Sequence, residues 1–372
     1  MDFTLVSSAF ETLRIAPPSK LTLLEARTLS PLHYPPFPPD IPALLMEIDS
    51  LELASQVEKI LLAAYPREHE FYWVVGSTLK VESLGNFQPP VVLRTGLLNF
   101  DPQFPCIYLP PLGEGTSFES FAEIVAHLRA PEDGCPWDKE QTHESLRKHL
   151  LEESYEAISA IDSGDFTDMR EEFGDLLLQV VLQSQIAMEE GQFNINQVVQ
   201  GISSKLVRRH PHVFGSLELN DVNGVLANWE KLKETERKDK GQREKGLLDG
   251  IPAALPALSQ AQEYQDRAAR VGFDWPEVEN VLDKVREEIE EVKQAQNLEE
   301  VTAELGDLFF VLVNLARWRK VDAESALREA NVKFKKRFGY VEQGAKKQGR
   351  NLSDMTLEEM DVLWNEAKRL GM

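Results

Sequence analysis

Cysteine is almost absent from this 372-residue chain, with Cys106 and Cys135 the only two. Two thiols build neither a disulfide framework nor a four-cysteine zinc site, so a reduced, cytoplasmic setting is expected. Long apolar runs are missing as well: none reaches the roughly 18 residues of a membrane-spanning helix. The polar opening MDFTLVSSAFETLRIAPPSK lacks the apolar core of a signal peptide. Positive charge is scarce, 40 Lys and Arg standing against 62 Asp and Glu for a net −22. Nucleic-acid polymers and membrane surfaces are met by clustered cations, so neither is an expected partner. A phosphate-bearing ligand would need a cation as intermediary. Neither G-x-G-x-x-G nor a P-loop occurs.

Proline is plentiful early and rare later: 15 of 21 lie in residues 1–118. Because proline breaks helices, the first third is expected to be loops, strands and short helices. FYWVV (71–75), VVL (91–93) and CIYLP (106–110) read as strands, and LELASQVEKILLAAY (51–65) as an amphipathic helix. PPFPPD (35–40) reads as an extended loop. From Ser117 onward, apolar spacing predicts helices over 118–129, 142–161, 167–189, 195–209, 222–238, 255–270, 276–295, 298–319, 322–346 and 356–370. Thr142, Asp322 and Thr356 stand at predicted starts, Gly191 and Gly272 at predicted ends. ETERKDKGQREKG (234–246) reads as a charged linker. The expected fold is mainly α: a small α/β domain (1–118), a helical domain (119–235), a linker (236–251) and a second helical domain (252–372).

The two helical segments repeat one another. GCPWDKEQTHESLRKHLLEESYEA (134–157) aligns with GFDWPEVENVLDKVREEIEEV (272–292), and EEFGDLLLQVVLQSQIA (171–187) with AELGDLFFVLVNLARWR (303–319). KLVRRHPHVFG (205–215) aligns with KFKKRFGYVE (333–342), and NWEKLKE (228–234) with WNEAKRL (364–370). The polar residues kept in both copies are E-E-x-x-E, E-x-G-D, K-x-x-x-R and W-x-x-x-K. In the second copy they are Glu287, Glu288, Glu291, Glu304, Asp307, Lys333, Arg337, Trp364 and Lys368. In the first they are Glu152, Glu153, Glu156, Glu172, Asp175, Lys205, Arg209, Trp229 and Lys233.

Residues three apart on a helix share a face. Glu288 and Glu291 therefore point together, at the edge of the stripe Val281, Val285, Ile289 and Val292, while Glu304 and Asp307 flank the stripe of the next helix. The short QAQN connection makes the two helices antiparallel neighbours. Four facing carboxylates cannot all ionise without a positive charge between them. A divalent cation solves this, and an all-oxygen ligand set favours Mg²⁺ or Mn²⁺. The last histidine is His212 and the last cysteine Cys135, so the second copy has neither imidazole nor thiolate to offer zinc or to act as nucleophile. Lys333 and Arg337, four apart, suit a polyphosphate, although surface charge explains them equally well. Trp364 with Lys368 could stack a base and hold a phosphate, or serve as a core anchor.

CPWDKEQTHESLRKHLLEESYEA, EEFGDLLLQVVLQSQIA and KLVRRHPHVFG, followed by a second helical copy, strongly resemble the MazG family of nucleoside triphosphate pyrophosphohydrolases. The resemblance spans residues 119–372. It implies tandem all-α domains, an intertwined homodimer, Mg²⁺ dependence, and hydrolysis of nucleoside triphosphates to monophosphate and pyrophosphate, with nucleotide house-cleaning one compatible role. It places metal on Glu288, Glu291, Glu304 and Asp307, and substrate contacts on Lys333, Arg337, Trp364 and Lys368. Glu287 is the candidate for activating water. The C-terminal copy is the expected catalytic unit, and the first copy a possible second site, since its motif is intact. HYPPFPPDIPALLMEIDSLELASQVEKILLAAYP (33–66) resembles, more faintly, the C-terminal half of a tetrapyrrole methylase domain, without that domain's glycine-rich segments. The alternative from another class is a non-catalytic nucleotide-binding or dimerisation module, in which the acidic helix pairs serve only assembly.

Overall fold

Side chains that alternate along short strands give the N-terminal region a sheet with two apolar faces. The structure, a computed structural model, describes residues 3–90, 93, 105–218, 221, 224–225, 228–229, 232, 236 and 246–372. Val91 and Val92 of the predicted VVL strand, Lys233 and most of the predicted helix 222–238 lie outside the described residues. Two compact units divide the chain, residues 1–204 and 205–372.

In the first unit, strands β1 (Thr22–Glu25), β2 (Ala43–Met46), β3 (Glu70–Val75), β4 (Thr78–Ser83) and β5 (Cys106–Leu109) form one sheet, ordered β1-β2-β5-β3-β4. The β1 and β2 pair is parallel and the others are antiparallel. One face buries Leu45, Phe71, Trp73, Ile107 and Leu109 with Val57 and Leu61 of helix α2 (Leu51–Leu61). The opposite face buries Leu44, Met46, Val74 and Tyr108 with Ala9, Phe10 and Leu13 of helix α1 (Phe3–Leu13). Each such side chain contributes about 1.5–3 kcal/mol when fully buried, so a sheet of short strands holds because both faces are covered. The predicted strands FYWVV and CIYLP and the predicted helix are present. Helix α1 and strands β1, β2 and β4 are additions, and β1 and β2, at four residues each, are too short to show periodicity.

Helix α3 (Phe118–Leu128) starts at Ser117, whose hydroxyl accepts from Ser120 N at 3.0 Å and donates to Asp40 Oδ2 at 2.8 Å. The Ser120 hydroxyl also donates to Asp40. These bonds tie the sheet region to the helices that follow. Gly134, in the turn before helix α4 (Pro136–Glu140), admits no side chain, because a Cβ there would lie 2.4 Å from the Ala130 carbonyl oxygen. Thr142 does not begin a helix, contrary to expectation. It exchanges bonds with Ser145, each backbone N–H donating to the other's hydroxyl at 2.9 and 3.1 Å, and such local bonds compete with helix formation. Helix α5 instead runs Arg147–Ser163.

A tight turn at Gly164, with φ +72°, leads into α6 (Phe166–Glu189), whose Asp165 cap accepts from Thr167 N and Asp168 N. Val125, Leu146, Val181, Leu182 and Ile186 form the core of these helices. Helix α7 (Ile195–Arg209) crosses the division between units, and the short α8 (Pro211–Phe214) follows it.

The second unit contains α9 (Ala257–Arg270), α10 (Val278–Gln294), α11 (Leu298–Trp318), α12 (Ala323–Lys347) and α13 (Leu357–Arg369). All begin and end within two residues of the predicted bounds. Asp322 caps α12, and Thr356 with Glu359 forms a capping box on α13. Two glutamines pin α9. Gln265 Nε2 donates to the Phe310 carbonyl at 2.8 Å, while Gln262 accepts from Ala323 N at 2.8 Å and donates to the Val321 carbonyl at 3.2 Å. Ala295–Asn297 turn α10 back on α11 as an antiparallel pair, as the short connection predicted.

Candidate active site

Helix α10 is amphipathic, and its buried stripe places Glu288 inside the pair. Val281 is 0% exposed and Glu288 only 3%. An isolated buried carboxylate is expensive, so its surroundings decide what it is for. Lys284, one turn earlier, donates to Glu288 Oε1 at 2.6 Å and to Glu287 Oε1 at 2.7 Å. These two carboxylates push the Lys284 ammonium well above its ordinary pKa. Glu288 Oε2 is buried with no hydrogen-bond partner. From α11, Glu304 and Asp307 each bring a carboxylate oxygen within 4.8 Å of Glu288 and of one another. Glu291 is exposed and outside this tight triple. Its carboxyl is raised, first by partial desolvation and then by the Glu288 charge, with Glu304 adding to the effect.

Three converging carboxylates with one unsatisfied buried oxygen fit a divalent cation, which would supply the missing partner. Four carboxylates were expected to face one another, and the structure brings three together with the fourth beside them. The expectation that Glu288 sits at the stripe edge understates its burial.

The basic and aromatic residues form a second group, on α12 and α13. The Arg337 guanidinium lies over the Trp364 ring, 5.7 Å from its centroid, and Arg337 Nε donates to the Met372 carbonyl at 2.8 Å. Phe334 packs against Trp364 at 5.3 Å between ring centroids. Trp364 is thus both a packing anchor and one side of a cation–π pair. Lys333 and Lys368 are exposed. Among the described residues no hydrogen bond or ion pair joins this group to the carboxylates.

The first copy assembles differently. Glu153, Glu156 and Glu172 lie within 4.8 Å of one another. Glu153 is half-buried, and its carboxyl is raised by desolvation and then by Asp175, Glu156 and Glu172. Asp175 is therefore close, though outside the triple. His149, which the repeat aligns with Lys284, sits 3.6 Å from Glu152. Lys205, Arg209 and Trp229 belong to the second compact unit. There Trp229 Nε1 donates to the Arg209 carbonyl at 2.8 Å, and the His210 ring meets Trp229 edge-on at 5.2 Å.

Two residues of consequence escaped the sequence reading. Lys284 is one, although its placement four residues before Glu288 was a usable signal. Glu236 is the other. Assigned to the linker, it instead holds Arg208 and Arg209.

Comparison with known proteins bears on this arrangement. The MazG nucleotide pyrophosphohydrolase domain matches residues 141–214, and the phosphoribosyl-ATP pyrophosphohydrolase family matches residues 257–333. The nucleoside triphosphate pyrophosphohydrolase of Escherichia coli K12 is 48% identical over 66% of this chain and 95% of its own length. The nucleoside triphosphate pyrophosphohydrolase/pyrophosphatase MazG of Thermotoga maritima is 45% identical over 68% of this chain and 96% of its own. The uncharacterized protein YabN of Bacillus subtilis is 40% identical over 98% of this chain and 74% of its own length.

Proposed function

The chain belongs to the MazG family and is a nucleoside triphosphate pyrophosphohydrolase, and we propose that its second helical repeat carries the reaction on a Mg²⁺-dependent carboxylate site. The observation that carries this reading is the convergence of the Glu288, Glu304 and Asp307 carboxylates, together with a buried Glu288 Oε2 that has no hydrogen-bond partner. Glu288, Glu304 and Asp307, with Glu291 beside them, would hold the ion; Mn²⁺ suits the same oxygens. When bound, the ion supplies neutralisation of phosphate charge and a more acidic water.

The remaining work falls to side chains. Arg337, braced by Trp364 and by the Met372 carbonyl, offers its guanidinium to the triphosphate, and exposed Lys333 adds a second cation. Lys368 is a further phosphate contact, and the Trp364 ring a surface for the base. Water attacks the α-phosphorus, the bond from that phosphorus to the α,β-bridging oxygen breaks, and pyrophosphate leaves. Glu287, exposed and paired with Lys284, is the group to which this reading assigns the proton of the attacking water. We further propose that the enzyme works as a cytoplasmic homodimer. Leu305, Phe309 and Leu312 stand exposed at four- and three-residue spacing on one face of α11, which supports an apolar interface. Light scattering would register the doubled mass. Residues 1–118 are read as a non-catalytic piece resembling part of a tetrapyrrole methylase domain. Calorimetric binding of S-adenosylmethionine would contradict that reading.

The activity is tested by incubating the chain with a panel of standard and non-standard nucleoside triphosphates and Mg²⁺, and quantifying products by ion-exchange chromatography. Equal amounts of monophosphate and pyrophosphate are expected, with the panel fixing base preference. Orthophosphate with nucleoside diphosphate would place the attack on the wrong phosphorus.

A further inference from the structure

The arginine that the repeat aligns with Arg337 is already bound to a carboxylate. Arg209 lies 128 residues before Arg337, within KLVRRHPHVFG. Its Nε and Nη2 donate to Glu236 Oε1 and Oε2 at 3.2 and 2.7 Å, the two-point fork with which arginine also grips phosphate. Arg208 joins on the same carboxylate, its Nε and Nη2 lying 2.8 and 2.7 Å from Oε1. The three side chains are 51%, 23% and 16% exposed for Arg208, Arg209 and Glu236, so the pair is partly withdrawn from water. The second copy has no such occupant. The offset of 135 that aligns Trp229 with Trp364 carries Glu236 onto Gly371, and among the described residues no Asp or Glu side chain pairs with Arg337, whose Nε donates instead to the Met372 oxygen.

We propose that Glu236 is an internal stand-in for a polyphosphate: its carboxylate occupies the guanidinium fork of the first repeat and keeps that repeat from holding a nucleotide's phosphates. This rests on reading the first repeat as a diverged copy of the nucleotide site. The two arginines hold the Glu236 carboxyl down at about 2, so it stays charged at every pH where the enzyme would work. Neutralising it leaves two adjacent guanidiniums without their acid, the arrangement that two phosphoryl oxygens satisfy best. A polyphosphate must therefore displace a charged carboxylate before it can bind, and the affinity lost to that competition is what the substitution restores.

Calorimetry with inorganic tripolyphosphate tests this on the full chain, with the second repeat disabled by Asp307→Ala and Arg337→Ala. Glu236→Gln is expected to tighten binding at least tenfold over the parent, and a further Arg209→Ala to remove the gain. Binding no tighter than the parent's, or a gain that survives Arg209→Ala, would overturn the proposal. Glu236→Asp, which keeps the charge but draws the carboxylate back by one methylene, serves if the amide variant loses its helical circular dichroism. A smaller gain is then expected, and no gain overturns. Pyrophosphate release by the unaltered chain is read separately, so failure of this contact and failure of the catalytic assignment give different results.

Discussion

The two helical repeats carry the same polar residues in the same order and build different surroundings for them. In the second, Glu288 is buried between helices with one oxygen lacking a partner, and Arg337 rests on Trp364 with its Nε on the Met372 oxygen and no Asp or Glu side chain on its fork among the described residues. In the first, Glu153 is only half-buried, its neighbour at the lysine position is a histidine, and Arg209 is closed by Glu236. A motif duplicated in sequence is therefore not duplicated in its surroundings. What differs is the burial of Glu288 against the half-burial of Glu153, and the glutamate on the first repeat's basic fork.

The largest expected effect comes from the carboxylates. Glu304→Ala or Asp307→Ala should lower kcat/KM for pyrophosphate release by more than ~100-fold, beyond what losing an outer partner of a metal ligand costs. Glu153→Ala or Glu172→Ala should change it less than about twofold, since surroundings rather than motif set the function. Equal losses in both repeats would break the comparison. Arg337→Ala comes next. A charge-assisted hydrogen bond contributes about 1.5–3 kcal/mol, so a loss of roughly 10–100-fold is expected, with little from Arg209→Ala. Steady-state kinetics on the pair would show it.

Much of this arrangement was legible in the sequence because helices announce themselves by periodicity. The bounds of α10 to α13, the antiparallel α10 and α11 pair and the inward turn of Glu288 followed from spacing alone, whereas Glu291 and Asp307 are exposed. What stayed hidden depended on contacts between residues far apart in sequence or on very short elements. Strands of four residues such as Thr22–Glu25 carry too few alternations to register. The Thr142 turn was concealed because the serine three residues on can bond as well as the helix could. Glu236 looked like solvated linker charge, and only its position on Arg208 and Arg209 gives it a role.

Metal binding sharpens the contrast further. At a Mg²⁺ concentration 100 times its dissociation constant, one site adds about 2.7 kcal/mol, which raises the melting temperature by roughly 5–10 °C for a unit of this size. Calorimetric scans with and without chelator should show the rise in the parent, its loss in Glu288→Gln and its retention in Glu153→Gln. The smallest effect is on pH. The Glu153 and Glu291 carboxyls hold their protons more tightly folded than unfolded. Their contribution to stability is thus present at low pH and lost as pH rises through the raised values. In metal-free protein, Glu291→Gln should melt slightly above the parent at pH 7 and level with it near pH 4. A gain at pH 4 and none at pH 7 would reverse the assigned sign.

The central claim is that the second repeat alone performs the chemistry. Its most direct test is pyrophosphate release from one nucleoside triphosphate with Mg²⁺, measured side by side on Asp307→Ala and Glu172→Ala chains of equal helical content. The account predicts that the first is silent and the second keeps nearly all the parent's rate. Activity surviving in Asp307→Ala and lost in Glu172→Ala would move the active site to the first repeat.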